Sequence, residues 1–186
     1  ARGSGLKGLV SLGKKTQIGN IYIHRPLLDF KKDDLIFLSK YVFDFYIKDP
    51  SNDNTKFQRI KFRHLLTEFE KIGLDKKKFN LTLKNLKNSD EAIKFYVKQN
   101  QINNSYYFLN SNRMLLNLSF FDQPSEIVFR SFSETLQKIS KKFYPPRGKK
   151  IGKIIEKIKF GTFSKVTLGG CIIEKVNQTV ILSKER

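Results

Sequence analysis

At 186 residues, with 36 Lys and Arg against 17 Asp and Glu and a formal charge of +19, the chain suits a polyanionic partner: RNA, DNA or an anionic surface. Its 39% hydrophobic content, including 17 Phe, can fill a core in one or two domains and excludes a disordered polypeptide. The one cysteine excludes an internal disulfide framework and any Cys-pair zinc or redox centre, and no apolar run approaches the roughly 20 residues of a membrane span, so a reducing cytoplasm is the expected location.

The size of the charge is weaker evidence than its make-up. Only eight of the cations are Arg, and a low-GC genome enriches Lys, Asn and Ile without any selection for binding. The Arg positions therefore carry more information, because the rigid guanidinium fork is kept where an ammonium would be the default. They are Arg2, Arg25, Arg59, Arg63, Arg113, Arg130, Arg147 and Arg186.

In chain order, the opening Ala1-Arg2-Gly3-Ser4-Gly5-Leu6-Lys7-Gly8-Leu9 spaces glycines so that a ligand can approach the backbone closely. The motif begins at the first residue and the only methionine is Met114, so the chain reads as a piece of a longer protein. Ile21 to His24 predicts a short strand entering an Arg25-Pro26 turn, with Asp29 as N-cap of a helix over 31–43. A second strand is expected over Phe43 to Ile47, and Asp49-Pro50-Ser51-Asn52-Asp53-Asn54 is a dense turn signal. Strand, helix, strand suggests an α/β domain.

From Phe57 to Ile72 the residues Phe62, Leu65, Leu66, Phe69 and Ile72 keep helical spacing, and Gly73 is placed to end the helix. Arg59 and Arg63 are i,i+4 neighbours at the edge of that stripe, able to clamp one phosphate. A solvated basic face is the other reading of the same spacing. Composition shifts after Gly73, so a domain boundary is placed there, with one or two helices over 75–101.

Tyr106 to Leu109 and Met114 to Leu118 predict a hairpin, and Pro124 opens a helix reaching about Lys142 with Val128, Phe132, Leu136 and Ile139 as its buried stripe. Phe143-Tyr144-Pro145-Pro146-Arg147 breaks the chain, a basic helix runs to about Lys159, and Val166 to Ile173 with Thr179 to Ser183 form a closing hairpin. This second domain reads as α+β. Between Lys138 and Lys165 the single acid is Glu156, and the cations interleave with Phe143, Tyr144, Phe160 and Phe163. Here too a Lys-rich solvated helix with core aromatics is the alternative to an RNA-facing patch.

No complete catalytic constellation is present. His24 and His64 lack metal-ligand spacing or a nucleophile partner, and Asp33 and Asp34 match first-turn charge placement better than a carboxylate pair.

Four motifs in order are more specific than any of them alone. Arg2-Gly3-Ser4-Gly5-Leu6-x-Gly8-Leu9, Arg25-Pro26-Leu27-Leu28, Asp49-Pro50-Ser51-Asn52 and Arg59-Ile60-Lys61-Phe62-Arg63-His64 resemble the isoleucine-tRNA lysidine synthetases, a PP-loop ATP pyrophosphatase group. Tyr144-Pro145-Pro146-Arg147 and Thr167-Leu168-Gly169-Gly170-Cys171 look like that family's next domain. The resemblance implies residues 1–73 as the C-terminal part of a Rossmann-like catalytic domain and 74–186 as a tRNA-binding domain.

It implies a ligase that adenylates the wobble cytidine of a CAU-anticodon isoleucine tRNA, after which the amine of free lysine displaces AMP. ATP is the implied cofactor, with magnesium held by residues outside this sequence; homodimerisation stays open. Arg2, Arg59 and Arg63 take catalytic roles in this reading, and Arg2, Gly3, Ser4 and Gly5 lie at the nucleotide. Arg59, Lys61, Arg63, Lys141, Lys142, Arg147, Lys149, Lys150 and Lys153 contact tRNA. The family's Ser-Gly-Gly-x-Asp-Ser loop and His-x-x-Asp-Asp segment are absent from these residues, so the chain alone is expected to be inactive. Ile60 stands where many members carry Asn. A non-catalytic basic RNA-binding protein and another PP-loop tRNA-modifying enzyme are the alternatives, the latter disfavoured by the solitary Cys171.

Overall fold

The computed structural model describes residues 5–10, 13–18, 20–53, 56–162 and 164–185. The chain divides into two compact units, Ala1–Asn88 and Ser89–Arg186. The composition boundary at 73 falls at a helix end, whereas the division lies further on, inside a continuous helix.

The first unit opens with a single helical turn, α1 (Gly5–Leu9), and an antiparallel hairpin of β1 (Lys15–Ile18) and β2 (Ile21–His24). β2 matches the expected strand; β1 carries no apolar alternation and was not legible. Pro26–Asp29 then forms a 3-10 turn, with Pro at its start as its fixed φ favours. Asp29 does not cap the next helix as expected. It ion-pairs with Lys14, and α2 (Lys32–Phe43) starts from Lys31 without a side-chain cap.

Asp33 and Asp34 occupy the first turn of α2 and Lys40 its last, matching the helix dipole at both ends. The helix runs to Phe43 and stops at Asp44, which adopts the left-handed conformation at φ 60°. The strand expected over Phe43 to Ile47 therefore does not form: its first residue is consumed by the helix, and residues 45–49 pair with no strand.

α3 (Gln58–Lys71) ends in a full glycine cap. Gly73, at φ 106°, donates its N–H to the Glu70 carbonyl at 3.1 Å, and Leu74 donates to Phe69 at 2.8 Å, satisfying two terminal carbonyls. Among its described residues before α4, the unit buries one large apolar side chain, Ile60, while Phe37, Tyr41, Ile47 and Ile72 are each more than 70% exposed.

α4 (Lys76–Asn104) is one helix of 29 residues. In the second unit β3 (Ser105–Phe108), β4 (Arg113–Asn117), β5 (Lys165–Leu168), β6 (Cys171–Val176) and β7 (Thr179–Lys184) form an antiparallel sheet ordered β3-β4-β7-β6-β5. Between β4 and β5 the chain makes α5 (Ser125–Ser140) and α6 (Gly148–Lys159). The expected closing strand Val166 to Ile173 is cut in two, because Gly169 and Gly170 adopt φ of 65° and 86° and turn the chain between β5 and β6.

Val128, Phe132, Leu136 and Ile139 of α5 are all at most 1% exposed, as their spacing requires. They share a core with Ile151, Ile154, Ile155 and Ile158 of α6 and with Met114, Leu116, Ile173, Val180 and Leu182 on the inner face of the sheet. Each such fully buried side chain contributes about 1.5–3 kcal/mol, so the second unit holds its own core. No helix of the described residues is long and apolar enough to cross a membrane.

Candidate nucleic-acid interface

In the first unit, the Asp-Pro-Ser-Asn turn and α3 meet through side chains. Asp49 accepts from the Ser51 backbone N–H at 2.8 Å and from the Ser51 hydroxyl at 2.9 Å, and the Asn52 N–H donates to the Asp49 carbonyl at 3.1 Å. The turn so fixed presents the Asn52 side-chain oxygen Oδ1, which accepts from Nη1 of Arg63 at 3.4 Å. An exposed Arg otherwise samples many rotamers, and a partner on a hydrogen-bonded turn narrows that choice. Lys61 is exposed on the same helix, and Arg59 lies one turn before Arg63. Ile60 is 1% exposed, so the position is apolar and buried here and makes no amide contact.

Arg25, one of the eight Arg, is used inside the hairpin. Its Nη1 donates to the Gly13 carbonyl at 3.2 Å and to the Thr16 hydroxyl at 2.8 Å, and its backbone N–H donates to Lys14. Arg2, Gly3 and Ser4, expected at the nucleotide, lie outside the described residues. Gly5 is described: it sits at φ 55° with open space where a Cβ would stand, so a phosphate can approach its backbone. To that extent the residue fits a nucleotide.

Among the described residues no group of three His, Cys, Asp or Glu is placed to hold a metal. Asp33 and Asp34 sit in the first turn of α2, Asp44 is its left-handed cap, and Asp49 is held in its Asx turn.

In the second unit the expected cations fall on one continuous stretch. Lys141, at φ 57°, ends α5; Lys142 follows; Arg147 is the N-cap of α6; Lys149, Lys150 and Lys153 lie on its outer side, and all six are exposed. The structure also joins two motifs distant in sequence. Where Gly169 would carry a Cβ, the Pro146 ring carbon Cγ stands 2.4 Å away, and the Lys142 Cε and Nζ lie 3.0 Å from the Cβ position of Gly170. The β5–β6 turn is thus seated against the α5–α6 loop, and at Gly169 the Pro146 ring leaves no room for a Cβ.

Cys171, next to that turn, is fully buried and its thiol donates to the Leu136 carbonyl at 3.3 Å. Burial pushes its pKa up, against smaller opposing effects from Ser140 and Lys142, so it stays a neutral packing residue.

Arg130 was not foreseen as structural. It is buried in α5 and donates to Asp90 at 2.6 Å and Glu126 at 2.7 Å, while Lys94 reaches the other Asp90 oxygen at 2.7 Å. Burial raises the Asp90 pKa, but hydrogen bonds and charge from Lys94 and Arg130 outweigh it and hold the carboxyl below its ordinary value. Nothing within four residues of Asp90 signals a partner 40 positions away.

Residues 1–70 match the model of the PP-loop domain. Over 99% of the chain it is 29% identical to the tRNA(Ile)-lysidine synthase of Wolbachia sp. subsp. Brugia malayi and 28% identical to that of Wolbachia pipientis wMel. Its relatives are tRNA(Ile)-lysidine synthases. A third of that name, from Bradyrhizobium diazoefficiens, is 39% identical over 40% of the chain. The resemblance read from the ordered motifs is borne out, and it extends through the second unit. The chain spans 43% of the length of the two Wolbachia proteins, so it corresponds to a fragment of them.

Proposed function

We propose that this chain is part of a tRNA(Ile)-lysidine synthetase, an ATP-dependent ligase that joins lysine to the wobble cytidine of CAU-anticodon isoleucine tRNA. The observation that carries this reading is the ordered set of motifs in a chain matched over 99% of its length by synthases of that name. ATP supplies the adenylyl group that activates the cytidine, pyrophosphate leaving, after which the lysine amine displaces AMP. In this reading Arg2 lies beside the nucleotide and the reacting base, with Gly3, Ser4 and Gly5 allowing close approach of the phosphates.

Arg63, pre-set by Asn52, and Arg59 one turn before it hold phosphate and offset the charge that develops during adenylyl transfer. The exposed cations from Lys141 to Lys153 contact the tRNA backbone, a role that needs no base-specific geometry. The catalytic domain ends near residue 73 in this proposal, and the remainder binds tRNA.

The test is incorporation of labelled lysine into a CAU-anticodon tRNA transcript by the polypeptide of the whole reading frame. Arg2→Ala should abolish turnover, and Arg59→Ala or Arg63→Ala should reduce it roughly 100-fold or more, the scale of losing one charge-stabilising donor. Unchanged turnover in all three would refute the assignment. The 186 residues alone should bind tRNA weakly and salt-sensitively without ligating lysine.

A further inference from the structure

We infer that the α5–α6 loop is a docking site for an unpaired nucleotide of RNA, the base stacking on Phe143 or Tyr144 and the flanking phosphates meeting Lys142 and Arg147. This rests on the RNA reading above and specifies it: the partner is single-stranded at this point.

The first observation is the placement of the two rings. The second unit buries Phe120, Phe121 and Phe132 to 2% exposure or less, yet leaves Phe143 at 68% and Tyr144 at 76%. These two rings meet edge to face, centroids 4.8 Å apart and planes at 82°, so each retains an open π-face.

Second, the loop that carries them is fixed. Lys141 caps α5 through its N–H to the Gln137 carbonyl at 2.9 Å, and the Gln137 side-chain amide donates to the Phe143 carbonyl at 3.0 Å. The Lys142 N–H reaches the Ser140 hydroxyl at 3.3 Å, and Pro146 is wedged against Gly169. Exposed aromatic side chains on a mobile loop would fold back onto apolar surface; on this one the backbone holds them outward, and little ordering entropy remains to be lost on binding.

Third, the surroundings are cationic. The Lys142 ammonium lies over Gly170, Lys141, Arg147 and Lys149 flank the loop, and the acid on α6, Glu156, sits in that helix's second half. Glu185 is the counter-example, its backbone N–H bonding the Gly170 carbonyl. Cations beside an open π-face match a nucleotide, which offers both a phosphate and a flat base. A base inside a duplex is already stacked on both sides and cannot reach the rings, which selects an unpaired one.

The experiment measures fluorescence anisotropy of a labelled 12-nucleotide oligouridylate and of a 12-base-pair RNA duplex with the full chain at several salt concentrations. The single strand should bind more tightly than the duplex at matched salt. Phe143→Ala and Tyr144→Ala should each weaken it about tenfold, on the scale of one lost base stack, without changing the salt slope, while Tyr144→Trp retains binding. Lys142→Ala should lower the slope by roughly 0.7, one phosphate contact on a single strand. Alanine variants that bind the oligonucleotide as the wild type does would overturn this inference and leave the RNA reading standing. Absence of binding to either RNA by the wild type would overturn both. If phosphatidylserine vesicles bind and the same two substitutions abolish that binding alone, the loop serves a lipid surface and the inference also fails. Both rings are exposed, so the variants should melt with the wild type; should Tyr144→Ala not fold, Tyr144→Leu removes the same π-face.

Discussion

Replacing Asp90 by Ala tests whether the second unit is held at α4 and α5 by a buried ion pair. The Asp90 and Arg130 side chains are 2% and 8% exposed, and Nη2 of Arg130 already has no partner among the described atoms. Removing the carboxylate leaves a buried guanidinium with only Glu126, itself 52% exposed, to offset its charge. Breaking a buried pair from one side costs about 3–5 kcal/mol, and in a domain of this size each kcal/mol lowers the melting temperature by roughly 4–8 °C, so a fall of at least 12 °C is expected. The double substitution Asp90→Ala with Arg130→Met should recover much of the loss, because no charge is then stranded.

The pH dependence supplies a second arm. The folded-state pKa of Asp90 lies below its ordinary value of 3.8, so the pair's contribution is fully present above that value and is lost as pH falls through the lower, folded-state pKa. Thermal melts followed by circular dichroism should show wild-type stability declining below about pH 4 by more than that of Asp90→Ala. Additive single and double mutants, or parallel pH curves, would refute the reasoning.

Two further outcomes follow from packing. Gly169→Ala combines a left-handed backbone with a Cβ 2.4 Å from Pro146 Cγ, so the second unit should lose about 2–4 kcal/mol, read as a melting shift of the full chain. Phe132→Ala should cost about 3–5 kcal/mol in the same assay, whereas Phe37→Ala, at a site 71% exposed, should shift the melt by less than about 0.5 kcal/mol.

The legible parts of the fold were those where one segment decides its own structure. α5 shows its buried stripe in the spacing of Val128, Phe132, Leu136 and Ile139. The β3–β4 hairpin and the Gly73 helix end were equally readable, since turn and cap chemistry is local. β1 was missed because Lys15-Thr16-Gln17-Ile18 is a two-stranded edge with little to bury. Phe43 to Ile47 looked like a strand by composition, but α2 extends into it and Asp44 caps the helix in a conformation the sequence only weakly marks. Gly169 and Gly170 were read as part of one strand because the pressure for glycine comes from their left-handed backbone and, at Gly169, from Pro146, some twenty residues earlier. At the candidate site the turn role of Asp49, Ser51 and Asn52 was readable from residue type, while the specific Asn52–Arg63 contact and the buried Asp90–Arg130 pair were not.

The scarcity of Arg selects for geometry, and geometry is needed in the interior as well as at a ligand. Arg25 closes a hairpin loop through Nη1 onto Gly13 and Thr16, and Arg130 uses two nitrogens of its fork to join Asp90 and Glu126. Those two are thereby accounted for without RNA. Arg63 is held differently: its Nη1 donates to the neutral side-chain amide oxygen of Asn52 at 3.4 Å, on an exposed turn. Arg147 is exposed at the start of α6 amid Lys142 and Lys149. In the proposed reading, Arg63 and Arg147 therefore separate binding from Lys-rich composition better than a formal charge of +19 does.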